Sequence, residues 1–330
     1  MNDITLTEAR ERLDAAKSVL LLTHMRPDAD TLGSAAALCG MLKQLGKSCE
    51  ILCGDKVPKR LAFLAGEDLS PAHLPGDFLP DLIVSVDVSS PELLGSLADG
   101  LAKKVGLAID HHARGTRFAK ESYVETLGAC GEIIFDLAAL WEEDGKKVLT
   151  KEVAEALYAA IASDTGRFQY EAVTPKTHLR IAGLLTVGID HAEIARRLFE
   201  EQSPGEQRAM KMAYQLLHTY LDGKLAVINM SSETLAEYQL TKDDISDVIS
   251  VARSGEGVEA AVTIREEEGN KYKVSLRTAR LLDASAICAI FGGGVHKRAA
   301  GCTLSALSEY DAEAMIVAAI TEAFAAAEEV

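Results

Sequence analysis

The first 110 residues alternate between short apolar runs and longer segments whose apolar residues have helical spacing. The apolar runs span residues 18–24, 48–54, 81–90 and 104–110, and a helical pattern covers residues 31–46. Continuous runs of Val, Ile and Leu of this length are typical of strands that are buried on both faces. Strands separated by helices indicate βαβ units, so this part is predicted to be an α/β domain with a parallel sheet and flanking helices.

The rest of the chain is helix-rich at first and then mixes strands with helices. The pattern predicts helices over residues 131–143, 151–163, 175–187, 206–220 and 308–327, and strands over residues 224–230, 258–266 and 271–280. Ser203, Pro204 and Gly205 form a break, which places a domain boundary in this region. We therefore expect a first domain (1–190), a linker (191–207) and a smaller, mixed α+β second domain (208–330), with a cleft between the two domains.

Charge excludes one class of function and points to one local surface. The chain has 34 basic and 50 acidic residues and a formal net charge of −16. A protein that grips long nucleic acid usually has a broad basic surface, so binding of long duplex DNA is disfavoured. The segment from Lys271 to Arg298 departs from this acidic average, and its only acidic residue is Asp283. The basic residues of this segment are Lys271, Lys273, Arg277, Arg280, Lys297 and Arg298. A solvated strand face and a binding site for a small anion both explain this segment.

Cysteine usage and hydropathy indicate a cytoplasmic protein. The six cysteines include no C-x-x-C pair and resemble no zinc motif, so we interpret them as reduced and mostly buried. The first residues are charged and have a helical pattern, which argues against a secretory signal. No segment approaches the run of about 18 apolar residues that a membrane span needs, so we expect no membrane association.

Four segments place Asp or His where a strand or an apolar helix ends. Ligand sites in open α/β sheets lie at the carboxyl ends of strands, and imidazole with carboxylates suits a metal. Each segment alone also has a plain structural explanation, such as Asp30 as a helix N-cap or Asp87 capping the helix after Pro91. Four such segments together favour a metal site over unrelated polar loops. Their residues are His24, Asp28 and Asp30; Asp87; Asp110, His111 and His112; and Asp164.

These motifs, in this order, resemble the DHH phosphoesterase superfamily. The matching patterns are H-x-x-x-D-x-D, then D, then D-H-H, then S-D-T-G. Residues 291–301, FGGGVHKRAAG, resemble the glycine-rich motif of the DHH-associated substrate domain. The resemblance extends from about Val19 to Gly301. Within the superfamily, the chain looks like the short two-domain nano-RNA phosphodiesterases that also dephosphorylate pAp.

The resemblance implies a centre of two divalent ions, commonly Mn²⁺ in this family. His24 and Asp28 would bind one ion, Asp30, His111 and Asp164 would bind the other, and Asp87 would bridge both. A ligand set of imidazoles and carboxylates without thiolate also suits manganese. Four carboxylates brought together require cations, and two divalent ions would balance them. Such a pair would acidify a shared water for in-line attack, so no side-chain nucleophile is needed.

The resemblance also implies the residues that act on the substrate. His112 would face the scissile phosphate, while Asp110 would orient the histidine pair; with Asp87 they form the expected catalytic set. Substrate-binding candidates are Arg277, Gly292, Gly293, Gly294, His296 and Ser34. Glycines allow backbone N–H groups to approach a phosphate closely, and arginine binds phosphate in a bidentate manner. Ala29 and Val295 depart from the family pattern, in which glycine is usual at both positions.

We therefore expect a metal-dependent phosphoesterase that cleaves short RNA to nucleoside monophosphates, converts pAp to AMP, or does both. The limited basic segment favours single-stranded fragments of about two to five nucleotides over long strands. Two alternatives remain at this point: a phosphodiesterase for pApA or cyclic di-AMP, and a nucleotide-binding sensor without catalysis. No residue pattern decides whether the chain forms a homodimer.

Overall fold

The computed structural model describes residues 2–67, 69–294 and 297–328, and the chain divides into two units, Met1–Glu201 and Gln202–Val330. The strands of the first unit are β1 (Asn2–Asp3), β2 (Ser18–Leu22), β3 (Ser48–Leu52), β4 (Leu82–Val86), β5 (Leu107–Asp110) and β6 (Glu121–Val124). Its helices are α1 (Leu6–Ala15), α2 (Ala29–Gln44), α3 (Ala62–Ala65), α4 (Ala98–Leu101), α5 (Cys130–Glu143), α6 (Lys151–Asp164), α7 (Pro175–Thr186) and α8 (His191–Phe199). Short 3-10 helices span Lys59–Leu61, Pro71–His73, Pro91–Leu97 and Ala102–Lys104.

Within the described residues, the strands of the first unit form a six-stranded parallel sheet in the order β1-β6-β5-β4-β2-β3. Val19 and Leu21 of β2 pack into the core shared with α2, α5 and α6, whereas Leu20 and Leu22 pack into a second core on the opposite face. Successive side chains of a strand point to opposite faces, so both faces of this strand must be apolar. This burial explains the continuous apolar runs of the sequence and confirms the predicted α/β class.

Helix α2 packs closely against α6, and Gly33 makes this approach possible. A Cβ atom at Gly33 would lie 2.5 Å from the carbonyl oxygen of Ala156, closer than two non-bonded atoms can approach. The pairing brings the first turn of α2 and the last turn of α6 to the same region of the first unit. Asp30 lies in the first turn of α2 and Asp164 is the last residue of α6, so the pairing also brings these two carboxylates to that region.

The second unit forms a mixed sheet with the order β11-β10-β9-β8-β7, in which only β8 and β9 pair in parallel among the described strands. Its strands are β7 (Leu217–Tyr220), β8 (Leu225–Met230), β9 (Ala260–Glu267), β10 (Lys271–Thr278) and β11 (Ala299–Ser305). Its helices are α9 (Pro204–Leu216), α10 (Ser232–Glu237), α11 (Ile249–Arg253), α12 (Ala284–Ala289) and α13 (Glu309–Glu328). Both faces of β9 carry core residues, with Val262 and Ile264 on one side and Ala261 on the other.

The structure moves the boundary between the units relative to the sequence analysis. Residues 191–199, assigned above to a linker, form α8, and the buried Ile194 packs into the core of the first unit. Ser203 does not break a helix but begins one, because its side chain and that of Glu206 form a capping box at the start of α9. The helix predicted to reach Tyr220 ends at Leu216, and β7 follows it.

Two predictions about the side chains and hydropathy can be compared directly with the structure. The six cysteines are free and buried, as the sequence analysis expected. Across the described residues, no helix combines the length and apolar character that crossing a membrane requires.

Candidate metal centre

Three neighbouring strands and one helix end at the same place in the first unit. In the sheet order, β4 lies between β5 and β2. His24 follows β2, Asp87 follows β4 directly, and Asp110 is the last residue of β5. The carboxyl ends of parallel strands meet at one edge of a sheet, which is where these side chains converge. Asp164, at the carboxyl end of α6, completes the arrangement.

His24, Asp28 and Asp87 form a first group of ligand atoms. The Nε2 atom of His24 lies 3.6 Å from Oδ2 of Asp28 and 3.6 Å from Oδ2 of Asp87. The Nδ1 atom of His24 lies 2.9 Å from the carbonyl oxygen of Met25. This contact assigns the ring proton to Nδ1 and leaves Nε2 as the atom that faces both carboxylates.

Asp30, His111 and Asp164 form a second group. The Nε2 atom of His111 lies 3.8 Å from Oδ2 of Asp30 and 3.4 Å from Oδ2 of Asp164. Its Nδ1 atom lies 3.0 Å from the carbonyl oxygen of Leu127, which orients the ring in the same way as in His24. The atoms of each group lie within 4.8 Å of one another, as do those of Asp87, His111 and His112.

Asp87 belongs to both groups through its two oxygen atoms. Oδ2 faces His24, while Oδ1 lies 3.4 Å from Nε2 of His111 and 3.6 Å from Nδ1 of His112. Asp87 has a φ of 61°, a left-handed conformation that is uncommon outside glycine, and such strain clusters at functional sites. Among the described residues, Oδ1 is buried without a hydrogen-bond partner. A buried carboxylate oxygen left unpaired is costly, and a bound cation would satisfy it.

These separations fit divalent ions better than direct hydrogen bonds. Ligands at about 2.1 Å from an octahedral ion lie about 3 Å apart, close to the distances of 3.4–3.8 Å between the facing nitrogens and oxygens. The donor set consists of imidazole nitrogens and carboxylate oxygens, which suits Mn²⁺ and related hard or intermediate cations. The residues present therefore fit a metal centre with two sites that share Asp87.

Asp28 and Asp30 have different tasks although they are two residues apart. Asp28 is the N-cap of α2, and its Oδ1 accepts hydrogen bonds from the backbone N–H groups of Asp30 and Thr31. Its Oδ2 is thereby turned toward His24. The sequence analysis considered Asp30 as the N-cap, but that role belongs to Asp28, and α2 begins at Ala29. Asp30 is fully buried and available as a ligand.

The start of α5 and the hydroxyl group of Ser34 hold Asp30 in place. Oδ2 of Asp30 accepts a hydrogen bond from the N–H of Cys130, and Oδ1 accepts one from the N–H of Gly131. The Ser34 hydroxyl donates to the same Oδ1 at 3.0 Å. Ser34, a substrate-binding candidate in the sequence analysis, is completely buried, so its placement makes it a support for Asp30.

A buried ion pair that the sequence analysis missed anchors the start of α5. Glu132 accepts hydrogen bonds from the N–H of Gly128, the hydroxyl of Thr177 and Nη1 of Arg180. Arg180 also donates to Asp136. The signal available in the sequence was a glutamate directly before the apolar residues Ile133 and Ile134, since a charge on an apolar helix face is almost never buried without a partner.

The carboxylates raise the proton affinity of the imidazoles. Burial lowers the pKa of His24, but Asp28 and Asp87 outweigh it and raise the pKa to about 11. Burial likewise opposes the charged form of His111, yet Asp87 and Asp30 raise its pKa to about 10. The centre therefore attracts positive charge strongly. Divalent ions compete with these protons, so metal binding should release them.

The pKa values of the carboxylates in the centre shift in opposite directions. Burial, with the charges of Asp87 and Asp164, raises the pKa of Asp30 well above its usual value. Burial also raises the pKa of Asp164 to about 6. Burial opposes the charged form of Asp87, but the facing imidazoles of His111 and His24 outweigh it and lower the pKa of Asp87. Asp87 is thus held in its charged form between the two histidines.

His112 is held by Asp110 and differs from the other two histidines. Its Nδ1 atom lies 2.7 Å from Oδ1 of Asp110, which also accepts a hydrogen bond from the N–H of His111. The hydrogen bond that Nδ1 of His112 donates to Asp110 raises the pKa of His112. The His112 side chain is 32% exposed and that of His111 only 10%, so His112 is the more accessible of the two rings. The structure thus brings together all the predicted metal-ligating and catalytic residues of the first unit.

The second unit positions Arg277 and the glycine loop. Arg277 lies on β10, half-buried, and its Nη1 donates to the carbonyl oxygen of Leu276. Gly292 and Gly294 have positive φ values of 74° and 98°. A Cβ atom at Gly293 would lie 2.2 Å from the carbonyl oxygen of Gly301, so the backbone path of the loop requires glycine there. Val295 and His296, including the predicted substrate contact of His296, lie outside the described residues.

Family comparisons agree with this division of the chain. Residues 18–161 match the DHH family, N-terminal domain, and residues 222–326 match the DHHA1 domain. The first match contains every residue of the metal centre except Asp164, which lies three residues beyond its end, and the second contains Arg277 and the glycine loop.

Relatives are similar over nearly the whole chain. A Thermus thermophilus protein named bifunctional oligoribonuclease and PAP phosphatase NrnA is 29% identical over 308 residues, covering 92% of this chain and 89% of that protein. A Bacillus subtilis protein of the same name is 25% identical, covering 92% of this chain and 95% of that protein. The crystal structure of an exopolyphosphatase-related protein from Bacteroides fragilis has a TM-score of 0.88 at 22% identity, covering 98% of this chain and 97% of that one. That likeness supports the fold alone.

Proposed function

This chain carries a DHH domain followed by a DHHA1 domain, and we propose that it is a metal-dependent phosphoesterase that hydrolyses short oligoribonucleotides and pAp. The products would be nucleoside monophosphates from RNA and AMP from pAp. The observation that carries the proposal is the pair of ligand groups that share Asp87 at one edge of the sheet. The names of the Thermus thermophilus and Bacillus subtilis relatives support the substrate class.

In the first unit, different residues would bind the metal ions, donate a hydrogen bond to the phosphate and hold the ligands in position. Two divalent ions held by these ligands would lower the pKa of an attacking water and stabilise the charge that develops on the phosphoryl oxygens. Asp110 fixes Nδ1 of His112 and raises the pKa of that ring, so His112 can donate from Nε2 to a phosphate oxygen. Asp30 and His111 are locked by backbone groups, which preserves the geometry during turnover.

The second unit contributes groups that suit a phosphate. Arg277 offers guanidinium donors, and the backbone of Gly292–Gly294 follows a path that leaves no room for side chains at its tightest point. Manganese as the native metal, a cytoplasmic location and a preference for single strands over duplex DNA belong to the same proposal. A homodimer is compatible with it but has no residue in its favour.

The test is hydrolysis of a 5′-labelled RNA ladder from dinucleotide to 24-mer, with pAp and cyclic di-AMP in parallel, each with Mn²⁺ or with EDTA. We expect Mn²⁺-dependent turnover of the shortest RNAs and pAp, and loss of that turnover in Asp87→Asn. Asp99→Asn, at an exposed position on α4, is the matched control and should behave as wild type. Turnover that persists in EDTA would contradict the metal-dependent mechanism. Turnover confined to cyclic di-AMP, or none at all, would overturn the substrate assignment.

A further inference from the structure

A single residue, Glu259, holds the segment that follows β10 in the second unit. Strand β10 ends at Thr278, and residues 279–282 belong to neither a strand nor a helix. We call residues 279–282 the anchored connection. Backbone N–H groups that no ladder or helix satisfies need partners from elsewhere in the fold. Glu259, which directly precedes β9, supplies these partners.

Glu259 accepts a hydrogen bond from each successive N–H group of the anchored connection. Its carbonyl oxygen accepts from Ala279 at 2.8 Å. Its carboxylate accepts from Arg280 at 3.0 Å through both oxygens, from Leu281 at 2.6 Å and from Leu282 at 2.9 Å. Hydrogen bonds to an ionised carboxylate are stronger than those between neutral groups. The charge of Glu259 therefore holds the connection more firmly than a neutral side chain of the same shape would.

The glycine loop is attached to the anchored connection through α12. Asp283 directly follows the connection and caps α12, because its side chain accepts hydrogen bonds from the N–H groups of Ser285 and Ala286. At the other end of this short helix, the N–H groups of Gly292 and Gly293 donate to carbonyl oxygens of its last turn, each at 3.0 Å. The connection, α12 and the start of the glycine loop thus form one continuous hydrogen-bonded path.

The chain that leaves the glycine loop returns to the same place. Nη1 of Arg298 donates to the carbonyl oxygen of Leu282 at 3.0 Å. The N–H of Ala284, at the start of α12, donates to the carbonyl oxygen of Lys297 at 2.8 Å. Both flanks of the loop are therefore bound to the anchored connection or to the residues directly after it. A displaced connection would shift the loop relative to β10, the strand that carries Arg277.

We infer that Glu259 is a positioning residue for substrate binding: by fixing the anchored connection, it sets the place of the glycine loop relative to Arg277. This inference rests on the proposed function, which assigns that loop and Arg277 to the phosphate of the substrate. The carboxylate oxygens of Glu259 already accept hydrogen bonds from backbone N–H groups, and a carboxylate repels a phosphate. Glu259 therefore acts on the substrate through the loop and not by direct contact.

Amide hydrogen exchange followed by mass spectrometry tests whether Glu259→Gln loosens this path. Glutamine keeps the length of the side chain but loses the charge and turns an NH₂ group toward N–H donors. We expect faster exchange in peptides that cover residues 279–294 and unchanged exchange in β8, which pairs with β7 and β9 on its two sides. Glu266→Gln is the matched control. Glu266 lies near the opposite end of β9 and accepts a backbone hydrogen bond from Ser232, so its replacement should leave residues 279–294 unchanged.

Kinetics with pAp separate a positioning role from a general loss of structure. For Glu259→Gln we expect KM to rise about 10-fold, which corresponds to the loss of one hydrogen bond to a charged group. The value of kcat with Mn²⁺ should stay that of wild type, because the metal ligands are unchanged. Glu259→Asp keeps the charge on a side chain that is one methylene group shorter, so exchange and KM should change in the same direction but by less. That variant carries the test if Glu259→Gln does not fold.

The outcomes separate this inference from the proposed function. Wild-type exchange in Glu259→Gln, or equally fast exchange in Glu266→Gln, would overturn the anchoring role. Faster exchange with an unchanged KM would overturn the role in substrate binding. If wild type hydrolyses neither RNA nor pAp, the proposed function fails, and calorimetry with pAp decides the inference: we expect binding that weakens about 10-fold in Glu259→Gln but not in Glu266→Gln. Equal dissociation constants, or no binding to wild type, would contradict it.

Discussion

Replacing Glu132 by glutamine tests how the first unit keeps Asp30 ready for a metal ion. Glu132 is completely buried and accepts three hydrogen bonds, one of them from Arg180 at 2.6 Å. Glutamine keeps the shape but turns an NH₂ group toward donors. Breaking one side of a buried ion pair costs about 3–5 kcal/mol, and Arg180 retains Asp136, so we expect a loss at the lower end, about 3 kcal/mol. For a unit of this size, that loss lowers Tm by about 6–12 °C.

The same substitution should weaken metal binding, because the loop and helix start that Glu132 anchors supply the N–H groups bound to Asp30. Substitution of a residue that supports a metal ligand in this way typically lowers metal affinity by about 10- to 100-fold. The assays are thermal unfolding followed by circular dichroism and Mn²⁺ titration by calorimetry. Asp136→Asn is the control, since it removes the charge of the other partner of Arg180. The Asp136 side chain is 30% exposed, and its replacement should leave metal affinity unchanged. Wild-type affinity in Glu132→Gln, or an equal loss in Asp136→Asn, would refute the reasoning.

Three further substitutions have defined outcomes. Asp87→Asn should reduce kcat at least about 10²-fold with Mn²⁺ while the circular dichroism spectrum stays that of wild type; an unchanged kcat would contradict the shared-ligand role. Gly33→Ala places a Cβ atom 2.5 Å from the Ala156 carbonyl oxygen, so α2 must shift, and unfolding should show a loss of about 1–3 kcal/mol. Gly293→Ala creates a contact of 2.2 Å with the Gly301 carbonyl oxygen and should raise KM for pAp. Gly100→Ala, at an exposed position with no neighbour within 4 Å and no positive φ, is the control and should leave KM unchanged.

The sequence was informative where one local rule controlled the structure. Apolar runs located β2 and β4, since buried parallel strands need apolar residues on both faces. It was misleading at Leu217–Tyr220, where pairing with β8 overrides the helical pattern of the preceding residues. It also missed β11, a strand that begins at Ala299 directly after a glycine-rich, basic segment. Pairing across a sheet depends on partners far away in the chain, which local patterns do not contain.

The candidate site was likewise predictable where local sequence controls it and not where tertiary packing does. The order of Asp and His motifs was sufficient to predict which residues the strand ends bring together. The left-handed backbone of Asp87, the carbonyl groups that orient His24 and His111, and the clamp of α5 on Asp30 are tertiary features. They depend on how elements pack, so only the structure could reveal them. Ser34 is an example: we expected it to contact substrate, but it is buried and its hydroxyl group supports the metal-ligand candidate Asp30.

Anomalous diffraction from crystals grown with Mn²⁺ tests the central claim most directly. We expect two manganese peaks about 3.5–4 Å apart, one beside His24 and Asp28 and the other beside Asp30, His111 and Asp164, with Asp87 in contact with both. In Asp87→Asn crystals, at least one peak should weaken or disappear. A single ion, or ions bound away from these residues, would contradict the shared two-metal centre on which the proposed hydrolysis depends.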